Sequence, residues 1–133
     1  MDWIVWDHTL QTGHPQLDAD HAEFARLFNL LPEALQMPNR KAMCSKLLEQ
    51  IIEHTRTHFE LEQKLMQERC YPKIRQHSAE HAMLLDQAHQ YRTAFDAGAT
   101  EPEIALIDFP DVWLSFHILF SDKDLARFLA QAD

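Results

Sequence analysis

The fold is decided by residues 39–69, NRKAMCSKLLEQIIEHTRTHFELEQKLMQER. This stretch contains no glycine and no proline, so nothing in it interrupts a helix. Residues suited to a buried position recur three and four places apart, which is typical of a helix that buries one stripe. The stripe consists of Leu48, Ile51, Thr55, His58, Glu62 and Leu65. We predict one long helix here, with Asn39 as its N-cap.

Three further segments carry the same helical spacing. They cover residues 15–37, 72–97 and 110–130, and Pro32 is expected to kink the last turns of the first one. Residues 98–109 are predicted to be a loop. Because short connections make neighbouring helices run antiparallel, we predict an all-α fold, an antiparallel up-down-up-down four-helix bundle.

The chain length and composition fit a single domain. The 133 residues leave no room for a second domain of ordinary size, so we expect one domain over residues 1–133. Two glycines are too few for the turns of a sandwich or barrel of many short strands. Residues 15–133 would form the bundle. Residues 1–14, which include Trp3 and Trp6, are expected to form an ordered N-terminal arm.

The charge balance excludes several partners. Twelve Lys and Arg against 21 Asp and Glu give a net charge of −9, which repels the phosphates of nucleic acid and of anionic membranes. No apolar run approaches the roughly 18 residues that span a bilayer. We expect a cytoplasmic, monomeric protein. Cys44 and Cys70 lie too far apart along the predicted helix for a disulfide, so both should be free thiols.

Titratable residues occupy the stripes that should face the core. On the first helix the stripe is Leu17, His21, Phe24, Phe28, Leu31 and Leu35. On the third it is Ile74, His77, His81, Leu84, Ala88, Tyr91 and Phe95. On the last it is Trp113, Leu114, His117, Phe120, Leu125 and Phe128. Burying so many polar groups costs several kcal/mol, roughly, for each one that lacks a partner. A metal centre would satisfy them together.

The spacing of these groups supports a metal centre. His58 and Glu62 are four residues apart, as are His77 and His81, so each pair shares one helix face.

The carboxylate of the last helix is harder to place. Asp122 follows His117 by five residues, which an ideal α-helix places about 140° apart. Either Asp122 reaches inward from the flank or the last helix is locally loosened. Spacing alone therefore leaves Asp122 and Asp124 as equal candidates.

The donor set is too large for one tetrahedral zinc ion, which takes four ligands. Two metal ions sharing bridging carboxylates would use all five imidazoles and two carboxylates. Imidazole with carboxylate suits iron, zinc, copper or nickel, so the donor types leave the metal open. The chain has no Glu-x-x-His motif of the ferritin-like bundles and no metalloprotease HExxH motif.

Four segments of the sequence resemble the hemerythrin family, and in particular the single-domain bacteriohemerythrins. They are DADH (18–21), HFELEQKLM (58–66), HSAEH (77–81) and WLSFHILFSDKDL (113–125). The resemblance implies a non-haem centre of two iron ions with an oxo or hydroxo bridge. It assigns one iron to His77, His81 and His117, the other to His21 and His58, and the two bridging carboxylates to Glu62 and Asp122.

The resemblance also implies a function, which is reversible binding of dioxygen rather than catalysis. The implied use is storage or transport of dioxygen, or its delivery to an oxygen-consuming enzyme. The alternatives are a di-iron peroxidase or oxidase, or an oxygen or nitric-oxide sensor. Trp113 and Leu114 occupy positions that line the oxygen pocket in the family. We add Phe59 and Ile118, which follow His58 and His117 directly in the sequence. Asp18, three residues before His21, is a candidate partner for the second nitrogen of that histidine.

Overall fold

The computed structural model describes residues 11–97, 117–118 and 120–131, and this part of the chain is helical. The helices are α1 (Pro15–Phe28), α2 (Leu31–Leu35), α3 (Arg40–Glu68), α4 (Ile74–Asp96) and α5 (Lys123–Ala130). They confirm the predicted all-α four-helix bundle, in which α1 and α2 together take the place of the first helix. Residues 1–10, which make up most of the predicted N-terminal arm, and the predicted loop 98–109 lie outside the described residues.

Contacts between α3 and α4 show that these neighbouring helices run antiparallel. Ser45, near the start of α3, donates a hydrogen bond of 2.8 Å to Asp96 at the end of α4. Ser78, near the start of α4, donates one of 2.7 Å to Gln63, near the end of α3. These two contacts, one at each end of the helix pair, match a hairpin of two helices joined by the short connection that the sequence predicts.

The first predicted helix is broken rather than kinked. Helix α1 ends at Phe28, and α2 begins at Leu31. Pro32 has no N–H to donate to the Phe28 carbonyl four residues earlier, and its ring clashes with that carbonyl. The prediction of one continuous helix to about Met37 was therefore wrong. The interruption does occur at Pro32, where a kink was expected.

The segment before α5 is wound as a π-helix, in which each N–H bonds to the carbonyl five residues earlier. The described residues of this segment, 117–118 and 120–122, have that winding. Residues five apart then lie on similar sides of the segment, and residues three apart diverge. Asp122 is consequently buried with His117, whereas Phe120 is 64 % exposed. The predicted local loosening is confirmed, and the prediction that Phe120 faces the core was wrong.

Two apolar clusters fill the bundle above and below a polar layer. The larger cluster includes Phe24, Phe28, Leu48, Ile51, Phe59, Leu84 and Ile118. The smaller cluster contains Leu17, Met66, Tyr71, Leu125 and Ala126. Along α1 and α3, the histidines and Glu62 lie between residues of these two clusters, so hydrocarbon covers the polar layer on both sides.

Two further predictions can be compared with the described residues. Cys44 is buried, Cys70 is exposed, and both are free thiols as predicted. Among the described helices, none combines the length and the apolar character that crossing a bilayer would require.

Candidate metal centre

Seven titratable side chains meet in the polar layer at the middle of the bundle. They come from α1, α3, α4 and the π-helical turn, and none is more than 5 % exposed. They are His21, His58, Glu62, His77, His81, His117 and Asp122. These are the seven residues that the sequence analysis named, and the structure brings all of them together.

The seven side chains form two groups of possible ligands. One group consists of His77, His81, His117 and the two carboxylates, and the other of His21, His58 and the same two carboxylates. Within each group the ligand atoms lie within 4.8 Å of one another. Both groups contain Glu62 and Asp122, so the two carboxylates stand where they can be shared.

The group of three histidines converges on single carboxylate oxygens. Oε2 of Glu62 lies 3.2 Å from Nε2 of His77, 2.8 Å from that of His81 and 3.8 Å from that of His117. Oδ1 of Asp122 lies 3.2 Å and 3.0 Å from Nε2 of His77 and His117. Three imidazole nitrogens thus point at one carboxylate oxygen. A cation at their centre would satisfy all four atoms.

The group of two histidines uses the other oxygen of each carboxylate. Nε2 of His21 lies 2.7 Å from Oδ2 of Asp122, and both side chains are fully buried. Nε2 of His58 lies 3.3 Å from Oε1 of Glu62. Each carboxylate thus directs one oxygen to each group, which is the geometry of a bridging ligand.

Three of the histidines hold positive charge when no metal is bound. Burial disfavours the charged form of His58, but its contacts with Asp20 and Glu62 prevail and raise its pKa to about 9. The pKa of His77 also rises to about 9, because Asp122 and Glu62 outweigh its burial. The pKa of His117 is raised well above its usual value, against burial, mainly by Asp122.

The carboxylates and His81 complete this charge pattern. Burial opposes ionisation of Glu62, yet the histidines around it, His117 first among them, hold its pKa well below the usual value. Burial and Glu62 oppose ionisation of Asp122, but His117 and His21 keep its pKa low. The pKa of His81 is lowered by burial. In the metal-free layer, protonated histidines therefore balance the charge of the two carboxylates. Their protons supply the positive charge that bound metal ions would supply.

Two partly exposed carboxylates outside the layer contact the far side of its histidines. Oδ2 of Asp20 lies 2.7 Å from Nδ1 of His58. Oε1 of Glu80 lies 2.7 Å from Nδ1 of His117, and its other oxygen accepts a hydrogen bond of 2.7 Å from Ser121. The sequence analysis missed both residues. The signal available to it was that each acidic residue directly precedes a histidine of the layer, His21 or His81.

Asp18 does not have the predicted role. Its oxygens accept hydrogen bonds from the amide and hydroxyl of Thr12, at 2.7 Å and 2.8 Å, and from the amide of Gly13 at 3.1 Å. Gly13 has a φ of +91°, a conformation that favours glycine. Asp18 therefore holds the turn that leads into α1, and the proposal that it binds His21 was wrong.

Aromatic and aliphatic side chains line the layer. Phe59 is 4 % exposed and stacks on the ring of His81 at a centroid distance of 3.7 Å and an angle of 6°. It also meets the ring of His117 edge-on at 5.4 Å. Ile118 is fully buried in the same apolar cluster as Phe59. The other two residues predicted for the oxygen pocket, Trp113 and Leu114, lie outside the described residues.

The donor set fits a pair of transition-metal ions. Five imidazoles and two carboxylates suit borderline metals such as iron, and the described layer holds no thiolate that would favour a zinc or copper(I) site. Two groups with shared carboxylates accommodate two ions. Fold and site together define a four-helix-bundle protein of the class that binds metal through histidine and carboxylate side chains.

Comparison with known proteins places the chain within this class. The family model described as the hemerythrin HHE cation binding domain matches residues 12–129. The chain therefore belongs to the hemerythrin family, and the resemblance seen in the sequence is confirmed.

Three bacteriohemerythrins illustrate the similarity. That of Pseudomonas paraeruginosa is 31 % identical over 98 residues, which are 74 % of this chain and 63 % of that protein. That of Stenotrophomonas maltophilia is 28 % identical over 95 % of this chain and 81 % of that protein. That of Ralstonia nicotianae is 28 % identical over 98 % of this chain and 92 % of that protein. The match thus spans less than two thirds of the Pseudomonas relative.

Solved structures show the same fold. Crystal structures of hemerythrin mutants superimpose with a TM-score of 0.87 at 25 % identity, over 98 % of this chain and 100 % of the other. The likeness extends over the whole bundle and agrees with the family assignment.

Proposed function

We propose that this protein binds dioxygen reversibly at a non-haem di-iron centre. The ligands in this proposal are His77, His81 and His117 for one iron and His21 and His58 for the other, with two bridging carboxylates, Glu62 and Asp122. When bound, the two irons supply the electrons for dioxygen binding and a coordination position at which it enters. Family membership and the buried cluster support this proposal.

One observation carries the proposal, which is the unequal division of the histidines between the two groups. The group around His21 and His58 has one imidazole fewer than the other, although both share the same carboxylates. An ion held there would have one more coordination position for an external ligand. A position with three imidazoles next to one with two would suit binding of a small molecule at the second position better than a purely structural role.

The surroundings of the layer favour a small, uncharged ligand. Phe59 packs against the rings of His81 and His117, Ile118 is buried in the same apolar cluster as Phe59, and the two apolar clusters cover the layer from either side. These side chains exclude water, which would otherwise hydrate the centre and promote its irreversible oxidation. We include Phe59 and Ile118, together with Trp113 and Leu114 from the sequence, in the proposed oxygen pocket.

Two carboxylates of the chain reduce the net positive charge that two metal ions would bring into the core. Glu62 and Asp122 are fully buried and bring two negative charges into a region of low dielectric. They offset part of the charge of two metal ions, so fewer unpaired charges remain in the core. The imidazoles remain neutral when they act as ligands and add no further charge.

The physiological use that we propose is storage, transport or delivery of dioxygen to an oxygen-consuming enzyme in the cytoplasm. A di-iron peroxidase or oxidase, or an oxygen or nitric-oxide sensor, could be built on the same ligands. The apolar lining favours the carrier, because Phe59 and Ile118 offer no acid, base or hydrogen bond to a larger substrate.

The proposal is tested by anaerobic reconstitution of the metal-free protein with ferrous iron. We expect two irons per chain, a visible absorption band that appears on exposure to air, and loss of that band under argon. Rapid consumption of peroxide without a stable oxygenated form would contradict the carrier function and support the enzyme. Binding of fewer than two irons per chain would contradict the di-iron centre.

A matched pair of variants on α3 controls this experiment. Glu62→Gln removes a carboxylate at the centre, whereas Glu60→Gln removes the same charge from an exposed position two residues away. We expect Glu62→Gln to abolish loading with two irons and Glu60→Gln to load like the unaltered protein. Equal loading of both variants would contradict the bridging role of Glu62.

A further inference from the structure

Asp20 and Glu80 have equivalent positions on two different helices. Each directly precedes a histidine of the layer in the sequence, His21 or His81. Asp20 of α1 lies 2.7 Å from Nδ1 of His58 on α3, and Glu80 of α4 lies 2.7 Å from Nδ1 of His117. Each acidic residue therefore braces a histidine across a helix interface.

In the neutral form that can bind a metal, these contacts determine which nitrogen of each imidazole carries hydrogen. An ionised carboxylate can only accept a hydrogen bond, so Nδ1 of His58 and of His117 must be the donor. Nε2 then points into the layer, 3.3 Å from Glu62 for His58 and 3.0 Å from Asp122 for His117. This is the orientation in which a neutral imidazole presents its lone pair to a metal.

Glu80 has a second contact, with a side chain of the π-helical turn. Its other oxygen accepts a hydrogen bond of 2.7 Å from Ser121, which lies within the π-helical turn next to Asp122. The same carboxylate thus fixes the ring of His117 and one residue of the turn that places Asp122 inward. Asp20 and Glu80 are 30 % and 28 % exposed at the side chain, so each reaches from solvent to a ligand.

We propose that Asp20 and Glu80 are positioning residues, each serving one of the two metal positions. Asp20 fixes His58 for the position with two histidines, and Glu80 fixes His117 for the position with three. This inference rests on the proposed two-metal centre. It goes further in assigning a separate outer carboxylate to each metal, so that the two positions can be weakened independently.

The test is a titration of the metal-free protein with Co(II), whose bound forms are followed by visible absorption and by paramagnetic proton NMR. The variants are Asp20→Asn and Glu80→Gln, which keep the shape of the side chain; Glu80→Gln also keeps an oxygen that can accept the hydrogen bond from Ser121, so it changes only the contact with His117. An amide can offer its own N–H to Nδ1, which permits the wrong imidazole tautomer and places hydrogen on the metal-binding nitrogen. We expect each variant to weaken one of the two bound ions by about 10- to 100-fold and to leave the other unchanged.

The NMR spectrum identifies which position has changed. The Nδ1 hydrogens of ligand histidines exchange with water and give strongly shifted lines that disappear in D2O. We expect Asp20→Asn to alter the line of His58 and Glu80→Gln that of His117. Glu60→Gln and Asp86→Asn, which remove charge from exposed positions on α3 and α4, should alter neither the affinities nor these lines.

The outcomes separate this inference from the proposed function. If the unaltered protein does not bind two Co(II) ions, the two-metal centre fails. If it binds two and both variants titrate like it, or if each variant weakens both ions equally, the assignment of one carboxylate to each position is overturned. Far-UV circular dichroism of the metal-free variants establishes that they are folded, so weakened binding reflects the site.

Discussion

Metal binding should displace a defined number of protons from this protein. In the metal-free layer, the pKa values of His58 and His77 are about 9, and that of His117 lies well above its usual value. At pH 7 these three imidazoles therefore carry protons on nitrogens that face the carboxylates. A metal ion takes the place of those protons, because only the neutral imidazole is a ligand.

The expected magnitude is a release of about three protons per chain at pH 7, apart from any lost by water at the metal. The overall apparent affinity of the chain for its metal ions should then change by up to roughly 1000-fold per pH unit. This affinity should fall as the pH falls. As the pH rises through about 9, His58 and His77 lose their protons in the metal-free protein. The release should become smaller there, and the affinity should approach a plateau.

Isothermal titration calorimetry measures this directly. Zn(II) is added to the metal-free protein at pH 7 in buffers that differ in ionisation enthalpy, and the slope of observed heat against that enthalpy counts the protons. Repeating the series at pH 9.5 provides the internal control. A release of less than one proton at pH 7, or a release that does not decrease at pH 9.5, would refute the charge pattern derived from the layer.

Three further predictions concern the layer and its lining. Because the pKa of His58 is raised, its ionised form stabilises the metal-free protein below pH 6.5; chemical denaturation should show up to about 3 kcal/mol lost as the pH rises through about 9. Asp122→Asn should prevent loading with two metals, whereas Asp124→Asn, two residues away with a side chain 42 % exposed, should not; elemental analysis distinguishes them, and equal loading would contradict the bridging role of Asp122. Phe59→Ala should lower the free energy of unfolding by about 3–5 kcal/mol, whereas Met83→Ala, at an exposed position, should change it by less than about 0.5 kcal/mol.

Much of the layer could be predicted because helix periodicity is a local property. His58 and Glu62, and likewise His77 and His81, share a face by spacing alone, and the structure buries all four. Two histidines that belong to none of the predicted stripes have other contacts. His14 accepts a hydrogen bond from the amide of Leu17 at the start of α1, and His54 contacts the backbone carbonyl of Asp20.

The error at Phe120 and the ambiguity between Asp122 and Asp124 share one physical cause, a local change in helical winding. The prediction for Phe120 assumed 3.6 residues per turn, and at that periodicity the choice between the two aspartates stayed open. The π-helical turn moves Asp122 inward and leaves Asp124 at the surface, where it pairs with Lys73 at 3.3 Å and with Arg127 at 2.9 Å. From spacing, either aspartate was possible, and the resemblance alone had favoured Asp122.

Contacts between helices account for what no periodicity could reveal. Asp20 and Glu80 were assigned no role from the sequence, because their partners lie 38 and 37 residues away. Asp18, which is closer in sequence to the predicted ligand His21, holds the turn before α1 instead. Proximity along the chain was a poor guide to which carboxylate supports a histidine.

The amino-acid sequence by itself determined that the chain is helical and which side of α1, α3 and α4 carries the buried histidines and Glu62, because both follow from the spacing of residues within one helix. The tertiary structure alone decided how those sides meet. It divided the donors into groups of three and two histidines around Glu62 and Asp122, and it paired Asp20 with His58 and Glu80 with His117 on other elements. Such contacts join residues that are distant along the chain, so they exist only once the helices have packed.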